Sequence, residues 1–245
     1  SSAMLSSSQT AVLGHVSQPT SLIGYQKNII NVAAFSYQNA AHTLEHGARF
    51  GINTNVGQRK IRVSTSYISN IADAAGSQDN SLNSTNQFNG FNHTYSSHNG
   101  NLLAHDVAGA DIDVGVTQGP ISLSGEYVSA IRHFAPRDLS MNNRGAKPRA
   151  LQLEGDYSWQ VGPRPYSVGL RYGESWDTLA LNMPHKSVSL GFRTSYWKNS
   201  SQAIELRENL DYNKNESSTG AGATQATVGD GLDHFTVTLE TGLYF

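Results

Sequence analysis

The sequence predicts an all-β fold, an antiparallel up-and-down transmembrane β-barrel, and three observations support that prediction. Apolar and polar residues alternate with a period of two along several long segments, which is the pattern of strands that separate an apolar surface from a polar one. Tight turns and long loops connect these segments alternately, as in membrane barrels. Charged residues make up only 15% of the 245 residues, against about 25% in soluble domains.

The alternation is clearest in the last segment, where Phe235, Val237 and Leu239 are each followed by a polar residue. Several segments are longer than the five or six residues of a typical soluble strand, and they suit a tilted crossing of a bilayer, which needs about 9–11 residues. The predicted strands, eleven in all, are 19–26, 29–37, 46–54, 59–69, 104–116, 120–132, 148–161, 165–175, 186–198, 201–213 and 233–245.

The connections between these strands sort into two kinds. Tight turns rich in Gly, Pro and Asn are predicted at 55–58, 117–120, 161–165 and 198–201. Long loops are predicted near 70–103, 133–147, 176–185 and 214–232. Membrane barrels have short periplasmic turns and long extracellular loops, so we expect the outer membrane of a Gram-negative cell, with the C-terminal Phe245 on the periplasmic side.

The strand count bears on the domain organisation. We expect a single barrel domain over 1–245, but single-chain bacterial barrels close with an even number of strands, and eleven is odd. The chain begins at Ser1 without an initiator Met or a signal peptide, so we expect a partial barrel whose N-terminal strands are missing. A closed barrel of about 12 strands is the alternative, and a soluble β-sandwich is a further one, although its loops would not sort by length.

The composition argues against other classes of protein. Lys and Arg number 17 and Asp and Glu 19, so there is no basic excess for nucleic acid. No cysteine is present, which removes thiolate chemistry and Cys-ligated metals. No run of about 18 apolar residues predicts a membrane helix. The mean hydropathy of −0.41 is compatible with a barrel, because only every second strand residue faces lipid.

Charged residues within the strands are expected to face the lumen, since a charge facing lipid costs a few kcal/mol near the bilayer midplane. The candidate substrate-binding residues are Arg132, Arg171, Arg193, Arg207, Glu126, Glu154 and Asp156. One interpretation is structural, with acids and bases paired across neighbouring strands. The other is a ladder of Arg171, Arg193 and Arg207 that guides an anionic solute, because the guanidinium fork binds carboxylates. The sequence leaves both open.

No catalytic site, metal site or cofactor is predicted, and the chain is expected not to be an enzyme. The histidines at His93, His98 and His105 lack the fixed spacing of a metal site, so we expect them to be solvated. Glycine-rich stretches lack the setting of a phosphate loop or a nucleophile elbow. His133 and Asp138 are the one pair considered for a catalytic site near the outer rim of the barrel, and that assignment is disfavoured.

Several motifs recur along most of the chain in the order of a known family. They are Leu22-Ile-Gly-Tyr-Gln26, Tyr67-Ile-Ser-Asn-Ile-Ala-Asp73, Glu126-Tyr127, Phe134-Ala-Pro-Arg-Asp-Leu-Ser140, Gly145-Ala-Lys-Pro148, Leu179-Ala-Leu-Asn-Met-Pro184, Tyr196-Trp-Lys-Asn199 and Glu205-Leu-Arg207. In these motifs the chain resembles the siderophore porins of the LbtU/FupA type, outer-membrane iron-uptake proteins of some gamma-proteobacteria. The resemblance implies a periplasmic N-terminal region followed by a barrel that takes up siderophore-bound or ferrous iron without a plug domain. The family has no binding motif that can be assigned to particular residues of this chain.

The expected function is therefore transport of an iron–siderophore complex or ferrous iron through a porin-like barrel. The loops 70–103 and 133–147 would capture the ligand, and the arginines of the lumen would attract its carboxylates. The expected partners are outer-membrane lipid and the transported iron complex, with no nucleic acid. The alternatives are a general diffusion porin and a structural or adhesive barrel. The ligand and the oligomeric state stay open.

Overall fold

The structure, a computed structural model, describes residues 20–38, 44–73, 105–136, 138–142, 144–178, 181, 183–198, 203–215 and 231–244. The strands are β1 Thr20–Lys27, β2 Ile30–Gln38, β3 Leu44–Val56, β4 Arg59–Ile68, β5 Gly109–Gln118, β6 Ile121–Ala130, β7 Ser140–Met141, β8 Arg144–Gly145, β9 Arg149–Val161, β10 Arg164–Trp176, β11 Lys186–Lys198, β12 Ala203–Lys214 and β13 Asp233–Tyr244. A single 3-10 turn, Ile71–Asp73, is the helical element among these residues, and none of their helices has the length or apolarity to span a membrane.

Eleven of the strands form one antiparallel sheet in the order β1-β2-β3-β4-β5-β6-β9-β10-β11-β12-β13, which confirms the all-β prediction and its eleven long strands. The short strands β7 and β8 pair separately as a hairpin inside the connection between β6 and β9. Among the described residues β1 and β13 do not pair with each other, so the sheet is open.

The strand ends that flank the predicted tight turns lie at one end of the sheet, here called the turn end, and the strand ends that flank the long connections lie at the other, the loop end. Two-residue hairpins join β3 to β4, β5 to β6 and β9 to β10. Each begins with a glycine at positive φ, namely Gly57, Gly119 and Gly162. Left-handed backbone at this position matches the twist of the flanking strands, and glycine adopts it without steric strain.

Two predicted strands extend too far toward the loop end. We predicted strands at 104–116 and 120–132, but β5 begins at Gly109 and β6 ends at Ala130. Beyond these ends only single backbone hydrogen bonds still join the neighbouring segments: the Ile131 amide donates to the Ala108 carbonyl, in the register of β5 and β6, and the Ile71 amide donates to the Val107 carbonyl. Alternation alone does not show where a regular ladder ends.

The register divides the main sheet into a polar face and an apolar face. One row across neighbouring strands carries Arg62, Ser124, Glu154 and Arg171, and the adjacent row on the opposite face carries residues such as Leu153. Side chains drawn from β3 to β11 line one cavity on the polar face. The sheet therefore curls with its polar face on the inside.

Burial on the two faces is the reverse of that in a soluble protein. On the polar face Ser64 is 4% exposed and Ser189 is 2% exposed, whereas on the apolar face Leu170 is 55% exposed. An exposed apolar surface of this extent marks contact with another apolar phase or partner. The exposed large apolar residues of this face include Val32, Val63, Ile112, Val114, Leu123, Leu153, Leu170, Val188, Leu190, Leu210, Val237 and Leu239.

Aromatic side chains border the apolar face at both ends. At the turn end the ring centroid of Trp159 lies 5.6 Å from that of Tyr166 and 6.5 Å from that of Phe192. At the loop end Trp176 closes the same strand β10 that begins near Tyr166. These two residues are ten positions apart, so at about 3.3 Å per residue and a tilt of about 40° they bracket an apolar band roughly 25 Å tall.

An apolar cluster fills the loop end of the polar face. Val128 and Ala150 continue the polar rows of β6 and β9 as apolar residues, and the connections between strands pack against them. The buried members are Ile71, Ala72, Val107, Val128, Ala130, Phe134, Leu139, Met141, Ala146, Ala150, Leu181 and Met183, and we call them the loop-end cluster. Parts of the predicted loops 133–147 and 176–185 thus fold onto the sheet. Most of the predicted loops 70–103 and 214–232, with His93 and His98, lie outside the described residues.

Candidate functional site

The polar face holds two cavities that follow one another from the loop end to the turn end. The first, here called the loop-half cavity, measures about 510 Å³ and lies below the loop-end cluster. The second, the turn-end cavity, measures about 610 Å³. Arg62 lines both, so its side chain separates them.

A charged network organises the loop-half cavity. Arg62 Nε donates to Asp113 Oδ1 at 2.8 Å and Arg62 Nη2 donates to Asp113 Oδ2 at 3.2 Å, a two-pronged ion pair between β4 and β5. Arg49 Nη2 donates to Ser64 Oγ at 3.1 Å, and Ser64 Oγ donates to Asp113 Oδ1 at 3.4 Å. These bonds hold the charges of three neighbouring strands against one another.

Two further carboxylates line this cavity. Asp111 Oδ1 accepts a hydrogen bond from the Ser66 amide at 3.0 Å, and Ser66 Oγ also donates to this carboxylate. Glu126, a predicted binding residue, lies directly opposite Asp113 in the register of β5 and β6. Three carboxylates and two guanidinium groups therefore meet in the loop-half cavity.

The turn-end cavity has a different lining. Its charged residues are Lys60, Arg62, Asp156 and Arg193, of which Asp156 is the one carboxylate among the described lining residues. Its uncharged lining includes the amides and hydroxyls of Asn53, Asn55, Thr117, Ser122, Ser124, Ser158 and Ser167. The cavity is therefore cationic on balance and rich in hydrogen-bonding groups.

Two predicted residues, Glu154 and Arg171, are brought together between the cavities and the C-terminal strands. They lie opposite each other in the register of β9 and β10. Arg171 is 6% exposed, and its Nη2 donates to Ser189 Oγ at 3.2 Å. Ser189 in turn lies opposite Asp211. Arg171 is thus placed between two carboxylate-bearing strand positions, which fits the structural interpretation of this arginine.

The structure describes only part of the predicted arginine ladder. Arg193 of β11 and Arg207 of β12 are direct partners in the register, and Arg207 is also the partner of Glu240 on β13. Arg171 lies further along, opposite Ser189 rather than Arg193. The side chains of Arg207 and Glu240 lie outside the described residues, so a guiding role for the three arginines stays a prediction.

Arg132 does not lie on the polar face of a strand, and this is a correction of the predicted position. Strand β6 ends at Ala130, and Arg132 lies exposed in the bend that follows, where it donates to the Asp106 carbonyl. The reason is that β6 ends at Ala130 and the chain then bends so that Phe134 packs into the loop-end cluster.

Three polar-face cations were not singled out from the sequence. They are Arg49, Lys60 and Arg62 on β3 and β4. The signal was available, because Lys60 and Arg62 alternate with the apolar residues Ile61 and Val63. Within the described part of the chain, no group of three or more His, Asp or Glu side chains is arranged to hold a metal ion.

The two residues of the disfavoured catalytic pair take part in the structure of the loop-end connection. His133 Nδ1 lies 2.8 Å from the Gly145 carbonyl oxygen, and the Asp138 amide donates to the Ala135 carbonyl at 2.9 Å. A side chain at position 145 would collide with the Phe134 carbonyl oxygen, 2.0 Å from an ideal Cβ, so glycine is required at this close approach.

No protein-family model matches the chain. It is similar to a UPF0422 protein of Coxiella burnetii, 29% identical over 260 residues, which covers 100% of this chain and 52% of the relative. It is 32% identical over 234 residues to UPF0422 protein lpg2959 of Legionella pneumophila subsp. pneumophila, with 86% of this chain and 44% of the relative covered. The chain spans about half the length of the curated relatives it matches.

Among solved structures, the fold is similar to that of OmpT, folded in vitro, an outer membrane protein of Vibrio cholerae. The TM-score is 0.51 at 12% sequence identity, and the match covers 92% of this chain and 63% of that chain. At this identity the likeness concerns the fold, which is that of an outer-membrane β-barrel protein with the sheet left open here.

The likeness to OmpT also corrects one prediction. The absence of enzyme motifs and of a convincing catalytic pair led us to expect that the chain is not an enzyme, but that inference is wrong for this architecture. Outer-membrane barrels include enzymes as well as channels, so a shared barrel fold does not determine whether a chain is an enzyme. The names of these relatives mention neither iron nor siderophores, so the resemblance to siderophore porins stays a prediction.

Proposed function

We propose that this chain forms much of the wall of an outer-membrane β-barrel that admits small polar solutes, siderophore-bound or ferrous iron among them. The observation that carries the proposal is the reversed burial of the two faces. Ser189 of the polar face is 2% exposed while Leu190, the next residue, is 47% exposed on the apolar face. In a bilayer that arrangement is favourable, because lipid covers the apolar face and the polar lumen stays hydrated.

The two aromatic borders support the same proposal. Tyr166 and Trp176 bracket an apolar band whose height, roughly 25 Å, matches that of outer-membrane barrels. At the loop end of the apolar face Lys186 Nζ lies 3.8 Å from Glu174 Oε1. Such pairs suit the interface between headgroups and water rather than the hydrocarbon region.

In this proposal the turn end faces the periplasm and the loop end faces the outside, following the sorting of turns and loops in known barrels. Further strands complete the wall, because β1 and β13 leave two open edges among the described strands and an unpaired edge is unfavourable in lipid. The transported solute then meets the loop-half cavity first and the turn-end cavity second.

A second function, a closed structural or adhesive barrel, is favoured by the loop-end cluster. Leu139 and Val107 are fully buried there, on the side of the sheet that would form the lumen. A cluster of this kind narrows the loop end, and a barrel closed by it would act through its loops alone. The two functions differ in whether ions pass.

The test uses the complete gene product in two assays. Reconstituted in a planar lipid bilayer, the transport protein is expected to give stepwise ion currents, whereas the closed scaffold gives none. In cells deleted for the gene, uptake of iron-55 is measured separately for siderophore-bound and ferrous iron. Loss of one form, restored by the gene, supports iron transport. Currents with unchanged iron uptake point to a general porin and would remove the iron part of the proposal.

A further inference from the structure

The turn-end cavity contains an exposed ammonium, that of Lys60, and a carboxylate, that of Asp156, with one oxygen that no described protein group bonds. Asp156 Oδ1 is buried, and no hydrogen-bond partner for it exists among the described residues. Within the residues that the structure describes, the Lys60 ammonium also makes no hydrogen bond or ion pair. A buried carboxylate oxygen without a donor is unfavourable, and in native proteins it commonly marks the place of a bound water or ligand.

Lys60 and Asp156 do not neutralise each other because the sheet holds them apart. They belong to one row of the register, in which Lys60 is followed by Thr117, Ser122 and then Asp156 on successive strands. Three strand spacings of about 4.8 Å separate the two Cα atoms by roughly 14 Å along the sheet. Between them Thr117 Oγ1 and Ser122 Oγ bond to each other at 2.9 Å.

The turn-end cavity around the two charges is lined by groups that can hydrogen-bond amides. Thr117, Ser122 and Ser124 supply hydroxyls from β5 and β6, the strands between the two charges. Asn53 and Asn55 of β3 lie beyond Lys60, and Ser158 and Ser167 of β9 and β10 lie on the side of Asp156. Each can donate and accept a hydrogen bond, which matches the alternating N–H and C=O groups of a peptide. An extended peptide spans at most about 3.3–3.6 Å per residue, so two or three residues bridge the gap that the two side chains leave.

We propose that the turn-end cavity binds a short zwitterionic peptide. Its terminal carboxylate is held by the Lys60 ammonium, and its terminal ammonium donates to the Asp156 carboxylate. The peptide groups between the termini are hydrogen-bonded by hydroxyls of the two strands between the charges, those of Thr117, Ser122 and Ser124. This inference rests on the proposed barrel only for the route by which the peptide arrives, and it concerns a class of solute distinct from iron complexes.

The binding test compares three forms of one tripeptide with the complete gene product in detergent micelles. Isothermal titration calorimetry measures the affinity for triglycine, for N-acetyl-triglycine, which lacks the ammonium, and for triglycinamide, which lacks the carboxylate. Triglycine is expected to bind at least about tenfold more tightly than either capped form, since each cap removes one charge-assisted contact. Equal affinities for the three peptides, or binding of none of them, would overturn the proposal.

Two variants assign the termini to the two residues. In Lys60→Met, triglycinamide is expected to bind as well as triglycine, while the preference for a free ammonium remains. In Asp156→Asn, N-acetyl-triglycine is expected to bind as well as triglycine, while the preference for a free carboxylate remains. The matched control is Arg59→Met, because Arg59 precedes Lys60 but bonds Gln118 Oε1 at 2.8 Å on the opposite face. A control variant that alters the preferences equally would contradict the assignment.

Calorimetry in micelles does not depend on conduction, so the two proposals fail separately. A protein that binds triglycine selectively but gives no current in a bilayer contradicts the proposed transport and leaves the peptide site standing. A protein that conducts but does not distinguish the three peptides contradicts the peptide site alone. The comparison of capped peptides on the unmodified protein keeps the test valid if either variant fails to fold.

Discussion

The loop half and the turn half of the polar face are built from the same types of residue, yet their charges are satisfied differently. In the loop half Arg62 and Asp113 form a two-pronged pair, and an apolar cluster closes the cavity above them. In the turn half Lys60 and Asp156 lie three strands apart, with two hydroxyls between them that bond to each other. The loop half is thus held together by its own charges, whereas the turn half leaves a cavity open, which fits the solute site proposed there.

The largest loss of stability is expected from a substitution that disrupts the loop-end cluster. Leu139 is fully buried, so Leu139→Ala is expected to lower the free energy of unfolding by about 2–5 kcal/mol through loss of packing and creation of a cavity. The measurement is urea unfolding of the complete protein in lipid vesicles. Leu123→Ala, at a residue that is 57% exposed on the apolar face, is the control and should cost less than half as much. Equal losses would contradict a packed loop end.

The next largest loss of stability is expected when the same substitution, serine to phenylalanine, is made in each half and the two losses are compared. Ser64 is 4% exposed within the charged network, so Ser64→Phe is expected to destabilise the protein by about 1–3 kcal/mol through overpacking. Ser124 lines the open turn-end cavity, so Ser124→Phe should cost less than about 1 kcal/mol. In a bilayer Ser124→Phe should nevertheless reduce the ion current. A turn half as closely packed as the loop half would give equal losses of stability.

A smaller loss of stability is expected from removing a paired cation, and it can be compared with the loss from removing an unpaired one. Arg62→Met leaves Asp113 without its main partner, and because the Arg62 side chain is 44% exposed we expect a loss of only about 1 kcal/mol. Asp113→Asn in the same protein should recover most of that loss. The double-mutant cycle measures this coupling, and a coupling of zero would show that the pair does not contribute to stability.

The smallest effect is expected at Lys60. Because its ammonium has no partner among the described residues, Lys60→Met should change the free energy of unfolding by no more than about 0.5 kcal/mol. The same vesicle unfolding assay measures it beside Arg62→Met. A loss at Lys60 as large as that at Arg62 would mean that the turn half also depends on its charges for stability.

Much of the fold followed from local properties of the sequence. The alternation of Phe235, Val237 and Leu239 with polar residues predicted β13, and the Gly-containing turn at 55–58 predicted the hairpin of β3 and β4. Both signals lie within a few consecutive residues, so no knowledge of distant partners was needed. The same alternation assigned Glu154 and Arg171 to one face, and the register places them opposite each other.

The errors arose where distant residues compete for the same backbone or side chain. Arg132 was assigned to a strand, but the chain leaves the ladder after Ala130 to pack against the loop-end cluster. The segment 133–147 was assigned to a loop, and Phe134, Leu139 and Met141 within it are buried, while its predicted role in ligand capture stays a prediction. The apolar residues in that loop were a usable signal, although they do not say what they pack against.

By itself, the sequence determined the period-two strands, the two-residue turns and the division of side chains between two faces. These properties depend on the geometry of adjacent residues, because successive strand side chains point to opposite sides. Only the tertiary structure decided which charges pair and which stay open to a solute. Arg62 and Asp113 are 51 residues apart and meet through the register of β4 and β5, whereas the same register keeps Lys60 three strands from Asp156.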